Sequence, residues 1–454
     1  MKQKYIVAIE IGSSKIKGAV GTLDENGTLS VLAVEEEKQI DSVRYGCVQN
    51  VNMVRNSIIP IVRKLENQIS PLKINGIYVA LGGRSMMSCS REVTRQLPDA
   101  VEINERIVEQ INEDAKKTIL SDRDVVDIVP REYVVDNMTS LNLVGTYGKD
   151  ISASLNLILC RPQLRQNILR TISEQSQLKI NGYVVRATAE ADLVLSEEEK
   201  RLGCVFVDFG AETTTVAIYK SGSLHYLSTI PLGSRNITRD ITALNYLEER
   251  AEDIKKVVGC AFSDVNSKKI VNEGIDTTEI NNYVQARAGE IVANIIAQLD
   301  YAECKATDVP SGIVIVGGGA KLNGFNTLLE NQSKLKVRCG TPSNMIRIAK
   351  GHIQPSESVD VIAILAAVAK TEFIECVVAP AIIGQSSIVD ENNNQDRENS
   401  DTETNDGKKV PEIIDDDADD NDEISESKSP WWKKKMKSLR GRLENVINDD
   451  EDDE

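Results

Sequence analysis

Two stretches of the chain repeat one another, and this repeat limits the possible folds more than any other feature of the sequence. "YIVAIEIGSSKIKGAVGTLDENGTLSVLAVE" and "GCVFVDFGAETTTVAIYKSGSLHYLSTIPLG" align at a constant offset of 198 residues, which places Glu10 on Asp208 and Gly12 on Gly210. Each copy reads as a strand that ends in acid-x-Gly, a polar turn, an answering strand and a third strand after a hairpin signal. Two such β-β-β-α units predict two like domains around a cleft, where ligands commonly bind. Two unrelated hairpins that look alike are the alternative.

A third motif favours the two-domain interpretation. In "SGIVIVGGGAKLNGF" an apolar strand runs into three glycines, at positions 317–319, and a helix begins behind them. A strand followed by glycines and a helix N-terminus brings backbone amides close to a phosphate or a ribose. A tight turn explains a triple glycine equally well when it stands alone. Two mirrored acid-x-Gly turns followed by this motif are harder to explain by chance.

The composition argues against several other kinds of protein. Aromatic residues make up only 4% of the chain, so the core must be aliphatic. Eight cysteines without a C-x-x-C pair, together with two histidines, argue against a disulfide framework and against zinc. The N-terminus enters strand-like sequence at once, so no export signal is predicted. The most apolar run, residues 359–383, is interrupted by Lys370, Glu372 and Glu375, so no transmembrane helix is predicted.

The formal net charge of −17 is concentrated toward the C-terminal end. Residues 385–430 contain 16 acidic and 4 basic residues, a composition that buries little and repels itself, so they predict a disordered linker. Residues 431–448 contain 6 basic residues and 1 acidic residue and predict a basic amphipathic helix. Residues 449–454 form an acidic tail. The folded body, which ends at about residue 384, is therefore nearly neutral.

The predicted terminal helix has one apolar face. Its apolar residues recur at steps of four and three, which places them on one side of a helix, and lysines and arginines cover the rest. An 18-residue helix is about 27 Å long, and its apolar stripe suits one interface of an anionic membrane. Docking on a protein partner, on the body of the chain or in a calmodulin-like groove is the alternative. The predicted membrane-binding residues are Trp431, Trp432, Met436, Leu439, Leu443, Val446, Lys433, Lys434, Lys435, Lys437, Arg440 and Arg442.

Together these motifs resemble the actin–hexokinase–chaperone ATPase superfamily, and within it the FtsA family of bacterial cell-division actin homologues. "AIEIGSSKIKGAVG" and "FVDFGAETTTVAIY" resemble the two phosphate loops, and "IVIVGGGAKLNGF" resembles the adenosine motif. "AEDIKKVVGCA" is similar to the helix that lies against the nucleoside, and "DVIAILAAVAK" to the last connecting helix. Residues 84–160 have the length and position of a subdomain peculiar to the FtsA family. The linker and terminal helix complete the resemblance.

The resemblance implies an α/β, actin-like fold in which two duplicated β-β-β-α domains surround a nucleotide cleft. A subdomain of FtsA type is inserted into the first domain. The implied order is 1–83 for the first actin-like domain, 84–160 for the insertion, 161–203 for the return to the first domain, 204–232 for the second-domain core, 233–305 for its smaller subdomain, and 306–384 for the second-domain core with the final connecting helix.

The resemblance also implies a set of site residues. ATP would place its phosphates at the two turns and its nucleoside near the glycine motif and the "AEDIKK" helix. Glu10 and Asp208 would hold Mg²⁺ through water. The implied nucleotide-binding residues are Gly12, Ser13, Ser14, Lys15, Asp208, Gly210, Thr213, Thr214, Glu252, Lys255, Gly317, Gly318, Gly319 and Lys321.

The second phosphate loop departs from the family pattern. It reads "DFGAETTT", with Ala211 and Glu212 where glycines are expected and Thr215 where an aspartate would stand. A glutamate beside a γ-phosphate is repulsive unless it points away or binds metal. In "RATAEADLVL", where relatives place a water-orienting Glu or Gln, the nearest acid is Glu190, which is offset from that slot. We therefore expect nucleotide binding with slow or negligible hydrolysis, below about 1 s⁻¹, and assign no catalytic residue.

The resemblance implies a cell-division adaptor rather than a metabolic enzyme. Such a protein polymerises into actin-like filaments and binds the C-terminal peptide of the tubulin-like FtsZ through its smaller subdomain, here with Arg287. It tethers FtsZ to the cytoplasmic membrane at the division site, and nucleic acid is not an expected partner. Two alternatives stay open at this point. One is an actin-like assembly factor of a pilus or secretion system, and the other is a sugar or acetate kinase on the same scaffold.

Overall fold

The structure is a computed structural model that describes residues 3–39, 41–117, 122–140, 142–174, 178–262, 277–342, 346–349 and 353–379. The chain divides into two units, Met1–Ile383 and Gly384–Glu454. The predicted linker, terminal helix and acidic tail fall in the second unit and lie outside the described residues. All elements named below belong to the first unit. None of its described helices is both long and apolar enough to cross a membrane.

The first unit contains both strands and helices. The strands are β1 (Lys4–Ile11), β2 (Lys15–Leu23), β3 (Leu29–Lys38), β4 (Val43–Arg44), β5 (Cys47–Val48), β6 (Lys73–Ile74), β7 (Gly76–Leu81), β8 (Met87–Glu102), β9 (Asp124–Val135), β10 (Met138–Ser140), β11 (Tyr147–Cys160), β12 (Lys179–Val185), β13 (Cys204–Phe209), β14 (Thr214–Lys220), β15 (Ser223–Ile230), β16 (Ile313–Val316), β17 (Val337–Cys339), β18 (Arg347–Ile348) and β19 (Val377–Val378). The α-helices are α1 (Val51–Gln68), α2 (Glu105–Lys116), α3 (Pro162–Leu169), α4 (Arg186–Val194), α5 (Glu197–Leu202), α6 (Ser234–Thr242), α7 (Glu248–Val258), α8 (Thr277–Tyr301), α9 (Phe325–Ser333) and α10 (Val359–Ala369).

The first half of the molecule is built on a six-stranded sheet in the order β12–β7–β1–β2–β3–β18. Strand β7 is buried along its whole length, as expected for a central strand that is covered on both faces. Helix α1 begins after Asn50, whose side chain accepts a hydrogen bond from the Met53 amide (3.0 Å), and it packs an apolar stripe on β2 and β3. These contacts form the larger of the two main cores.

The duplication predicted from the sequence is confirmed in the register of the strands. β1 pairs with β2 in antiparallel fashion so that Glu10 lies opposite Lys17, and β13 pairs with β14 so that Asp208 lies opposite Thr215. Each of these hairpins also has a parallel neighbour on its other side, β7 beside β1 and β16 beside β13. The two halves therefore share one plan, and the chain has an actin-like α/β fold.

The segment 306–384, predicted to belong to the second domain, is divided between the halves. Strands β16 and β17 extend the second sheet, whereas β18 pairs with β3 of the first sheet. Helix α10 packs against β1 and α4, and its Ile362 and Leu365 belong to the first core. The physical reason is that α10 is apolar around most of its circumference and must be covered on every side.

The inserted subdomain predicted at 84–160 is present and has its own core. Strands β8, β9, β10 and β11 form an antiparallel layer on which α2 packs. Ile103, Ile111 and Leu155 are among its fully buried residues. The insertion is therefore a folded module rather than a long loop.

The sheet of the insertion continues into the sheet of the second half. The order of this nine-stranded sheet is β10–β9–β11–β8–β15–β14–β13–β16–β17. Met87 of β8 pairs with Ser228 of β15, and the side chain of Asn156 donates a hydrogen bond to the carbonyl of Leu224 (3.1 Å). The insertion therefore interrupts the first half in sequence, but its strands are hydrogen-bonded to the sheet of the second half.

Candidate functional site

A cleft of about 530 Å³ lies between the two halves. The turns that follow β1 and β13, the glycine segment after β16, helix α7 and the N-terminal ends of α4 and α10 surround it. The sequence-predicted residues that line this cleft are Glu10, Gly12, Ser13, Ser14, Lys15, Asp208, Gly210, Thr213, Glu252, Lys255, Gly317, Gly318, Gly319 and Lys321.

The two turns are closed by equivalent hydrogen bonds. The Gly12 amide donates to the Lys15 carbonyl (3.0 Å), and the Gly210 amide donates to the Thr213 carbonyl (2.9 Å). A Cβ atom at Gly12 would lie 2.8 Å from the Lys15 carbonyl oxygen and 3.1 Å from a carboxylate oxygen of Glu10. A side chain at this position would therefore push the turn open, and glycine is required by close approach.

The glycine segment brings backbone to the cleft from the second half. Gly317 has φ of +93°, and a Cβ atom there would lie 2.4 Å from the carbonyl oxygen of Phe209. Both the left-handed backbone and the contact require glycine. A Cβ atom at Gly318 would meet nothing within 4 Å, so this backbone is open to a ligand.

Thr214 is the predicted phosphate-facing residue that the structure turns away from the cleft. It is fully buried, and its hydroxyl donates a hydrogen bond to the Leu232 carbonyl (2.8 Å). Thr214 is the first residue of β14, and neighbouring side chains of a strand point to opposite faces. Only Thr213 of this pair is therefore placed to meet a ligand.

The two predicted acids are joined by an arginine that sequence analysis did not assign. Arg186, the first residue of α4, donates from one terminal nitrogen to Glu10 (2.8 Å) and from the other to Asp208 (2.7 Å). Its Nε lies 3.8 Å from Glu190. None of these four side chains is more than 13% exposed. The cluster therefore joins the two halves by buried ion pairs.

Burial has the largest effect on the pKa values of the acids in this cluster. It raises the pKa of Glu10 to about 7, although Arg186 acts in the opposite direction. It also raises the pKa of Asp208 against the same opposition, and burial with the nearby Asp208 raises the pKa of Glu190 well above its usual value. Burial alone would lower the pKa of Arg186, but Asp208 and Glu10 outweigh it and raise this pKa well above the usual value. Arg186 is therefore the fixed positive charge of the cluster.

The cluster does not fit the Mg²⁺ site that the resemblance implied. Mg²⁺ demands near-octahedral oxygen coordination and keeps several of its waters. Glu10 and Asp208 each use an oxygen to hold Arg186, and a divalent ion between them would be repelled by the guanidinium charge. Across the described part of the chain, no three His, Cys, Asp or Glu side chains are arranged to hold a metal.

Glu212 departs most from the family pattern, but its charge is compensated. The side chain is 1% exposed. One carboxylate oxygen accepts a hydrogen bond from the Tyr45 amide (2.7 Å), and the other accepts from Arg235 (3.2 Å) and Arg239 (3.0 Å) of α6. The repulsion of a phosphate that a free glutamate would cause is therefore offset by two arginines.

Helix α7 presents the predicted acid and lysine as an ion pair. Lys255 Nζ lies 2.7 Å from Glu252 and donates to the Thr238 hydroxyl (2.9 Å) and the Ser234 carbonyl (3.0 Å). Burial opposes the ionisation of Glu252, but Lys255 outweighs it and lowers the pKa of Glu252 to about 2. Burial lowers the pKa of Lys255, with Glu252 opposing. Glu252 is therefore ionised at neutral pH.

Two further charged pairs line the cleft, and of their four residues only Lys321 was assigned from the sequence. Lys17 of β2 contacts Asp360 (2.7 Å), and Lys321 contacts Glu357 (2.5 Å). Asp360 stands in the first turn of α10, where a negative charge is favourable to the helix dipole. An acid at the start of an apolar helical run was the signal that could have indicated it.

Arg287, the predicted partner-binding residue, lies on α8 outside the cleft. Its guanidinium makes a two-pronged ion pair with Asp240 of α6 (2.6 and 3.0 Å) and also contacts Glu290. The side chain is 27% exposed. An acidic ligand would therefore have to compete with Asp240 and Glu290 for this arginine.

Comparison with known proteins adds matches of three kinds: family models, curated relatives and a solved structure. A family model described as "Cell division protein FtsA" matches residues 205–367, and a model of the SHS2 domain inserted in FtsA matches residues 83–159. The cell division protein FtsA of Porphyromonas gingivalis is 29% identical over 362 residues, which cover 76% of this chain and 75% of that protein. FtsA of Escherichia coli K12 is 25% identical over 370 residues, which cover 76% of this chain and 85% of that protein. A solved structure of a PilM–PilN type IV pilus biogenesis complex has a TM-score of 0.58 and 15% identity, and covers 81% of this chain and 99% of that chain.

The fold and the cleft define an actin-like protein, with two duplicated halves that face each other across paired glycine turns. At 15% identity the pilus protein supports this fold alone. The two FtsA-specific matches, one in the second half and one in the insertion, go further. The chain belongs to the FtsA family of cell division proteins.

Proposed function

We propose that this chain is a cell-division adaptor that binds ATP, polymerises as an actin-like filament and tethers FtsZ to the cytoplasmic membrane at the division site. The observation that carries the proposal is the cleft of an FtsA-family chain, where two duplicated turns and the segment 317–319 offer backbone amides to one place. Filament formation and FtsZ binding are supported by family membership. The tether is supported by the amphipathic sequence of residues 431–448.

ATP suits the charges and the backbone of the cleft. Lys15 and Lys321 line it beside the turn and the glycine segment, and the compensated Glu212 no longer argues against a phosphate there. The nucleoside would lie against α7, where Glu252 and Lys255 hold each other. We expect slow turnover, because Glu190 is the acid nearest to the slot in which relatives place a water-orienting Glu or Gln, and it is offset from that slot.

Replacing Gly12 with alanine should weaken ATP binding at least about tenfold, or about 1.4 kcal/mol. The added Cβ would press on the Lys15 carbonyl and on Glu10, and would distort the turn that meets the phosphates. The measurement is equilibrium titration with a fluorescent ATP analogue on the full chain. Gly289→Ala is the matched control, because a Cβ atom at Gly289 of α8 would meet nothing within 4 Å. Unchanged affinity of Gly12→Ala, or no ATP binding by the unmodified chain, would contradict the proposal.

Replacing Arg287 with methionine should reduce binding of an FtsZ C-terminal peptide about tenfold. Methionine keeps most of the aliphatic bulk and removes the charge, whereas a glutamate would also face Asp240 and Glu290 and disturb α6 and α8. Peptide affinity is measured by fluorescence anisotropy, with circular dichroism to check the fold. Asp240→Asn is the informative companion, because it frees Arg287 from its two-pronged ion pair and should preserve or strengthen binding.

The control for the peptide experiment is Arg338→Met. Arg338 is also held by a carboxylate, that of Glu199 (2.7 Å), but lies on β17. Equal peptide affinity of Arg287→Met and Arg338→Met would remove Arg287 from the binding surface. A tail peptide of a pilus protein serves as the competing ligand, and tighter binding of that peptide would favour the pilus-assembly alternative.

A further inference from the structure

The cleft holds a fixed cation between its two acids, and the surrounding backbone leaves room for it. Arg186 follows β12 directly and begins α4, so its position is fixed by the parallel pairing of β12 with β7. A Cβ atom at Gly82 would lie 3.1 Å from the guanidinium carbon. The glycine that follows β7 therefore gives the guanidinium its space.

The two contacts of Arg186 span the cleft. Glu10 is the next-to-last residue of the first strand of one half, and Asp208 is the corresponding residue of the other. One guanidinium nitrogen binds each carboxylate, at 2.8 and 2.7 Å. Each terminal nitrogen of an arginine carries a second N–H, so a guanidinium that holds two carboxylates still has donors for a phosphate. Arg186 itself lines the cleft.

We propose that Arg186 takes the place of the divalent cation in this cleft, so that the chain binds metal-free nucleoside triphosphate. The guanidinium supplies the positive charge that links the two halves and faces the terminal phosphates. This inference rests on the proposed nucleotide function and concerns the same cleft. It follows that removal of Arg186 converts the cleft into a metal-dependent one, because Glu10 and Asp208 are then free to attract Mg²⁺.

The first test needs no variant. ATP affinity of the full chain is measured with excess EDTA and with excess Mg²⁺ at equal ionic strength. We expect the two dissociation constants to agree within about threefold, a difference of well under 1.4 kcal/mol. A loss of tenfold or more in EDTA would overturn the inference while leaving nucleotide binding itself intact.

The second test uses Arg186→Gln and compares ATP binding and thermal stability with Mg²⁺. The variant should bind ATP at least about tenfold more weakly in EDTA than in Mg²⁺. Mg²⁺ alone, without nucleotide, should raise the melting temperature of the variant but not of the unmodified chain. Arg338→Gln, which removes an arginine from β17, is the control and should behave as the unmodified chain.

The outcomes separate the inference from the proposed function. If the unmodified chain binds no ATP in either buffer, the nucleotide function fails, and the claim about metal-free nucleotide fails with it. If ATP binds and Arg186→Gln shows the same metal dependence as the unmodified chain, only the inference is overturned. Should Arg186→Gln fail to fold, the comparison of EDTA with Mg²⁺ on the unmodified chain still decides.

Discussion

Replacing Arg186 with glutamine lowers the free energy of unfolding by about 3–5 kcal/mol at neutral pH, because removing one partner of a buried ion pair leaves uncompensated charge. Arg186 is paired with two buried carboxylates, Glu10 and Asp208, and lies near a third, Glu190. Without it the three acids face each other in a buried site. The loss is measured by urea or thermal denaturation of the full chain in EDTA.

The loss should grow as the pH rises. Glu10 has its pKa raised to about 7 in the folded chain, against an unfolded value near 4.5, so its contribution to stability is present below pH 4.5 and is lost as the pH rises through about 7. Asp360 of α10 also raises the pKa of Glu10, and Lys17 of β2 lowers it. Removing Arg186 removes the main opposition, so the pKa values of Glu10 and Asp208 rise further. The variant should therefore be closer to the unmodified chain at pH 5.5 than at pH 8.

Arg338→Gln serves as the matched control for this experiment. Its side chain is 42% exposed and pairs with Glu199, and exposed ion pairs contribute about 0–1 kcal/mol. A loss below about 1 kcal/mol for Arg186→Gln, or a loss that shrinks with rising pH, would show that the buried cluster is not held by the arginine.

Ending the chain after Ser429 should abolish its sedimentation with anionic liposomes. The deletion removes both tryptophans and the 6 basic residues of 431–448, and each basic residue near an anionic surface contributes roughly 1 kcal/mol. Partitioning should fall by at least about a hundredfold, which corresponds to about 2.7 kcal/mol. Binding by the full chain should weaken as salt is added, because the attraction is screened.

A chain that lacks only residues 449–454 separates the helix from the acidic tail. That tail is expected either to repel anionic lipid or to shield the helix from the membrane, and on both interpretations its removal should strengthen binding rather than weaken it. If the full chain and the chain ending at Ser429 both stay in solution, the terminal segment is not a membrane anchor. The adaptor proposal would then rest on the folded body alone.

Most of the features that could be predicted from the sequence follow from the repeat. Acid-x-Gly turns at a constant offset indicated the paired hairpins, and the structure gives Glu10 and Asp208 equivalent positions in them. Local patterns of this kind predict strand pairing correctly, because the register of paired strands is set by the alternation of their side chains. The insertion was predicted from its length and position between matching motifs, not from its own periodicity.

Other features depend on contacts between distant residues and have no local signature. Nothing near Arg186 in the sequence indicates that Glu10, 176 residues away, will accept its hydrogen bond. From the sequence alone, Glu212 was expected to repel a phosphate. Its partners Arg235 and Arg239 become apparent only in the folded chain, where α6 packs beside the turn. Sequence patterns identified the walls of the cleft, whereas the balance of charge inside it required the tertiary structure.

The insertion is attached to the two halves in two different ways. Its chain enters after β7 and returns to β12, both strands of the first sheet, whereas its hydrogen bonds continue the second sheet from β8 to β15. A pull on the insertion is therefore transmitted to both walls of the cleft, by covalent chain on one side and by hydrogen bonds on the other. A force applied to the insertion would therefore load the ligand pocket from both sides at once, and neither wall could move independently of the other.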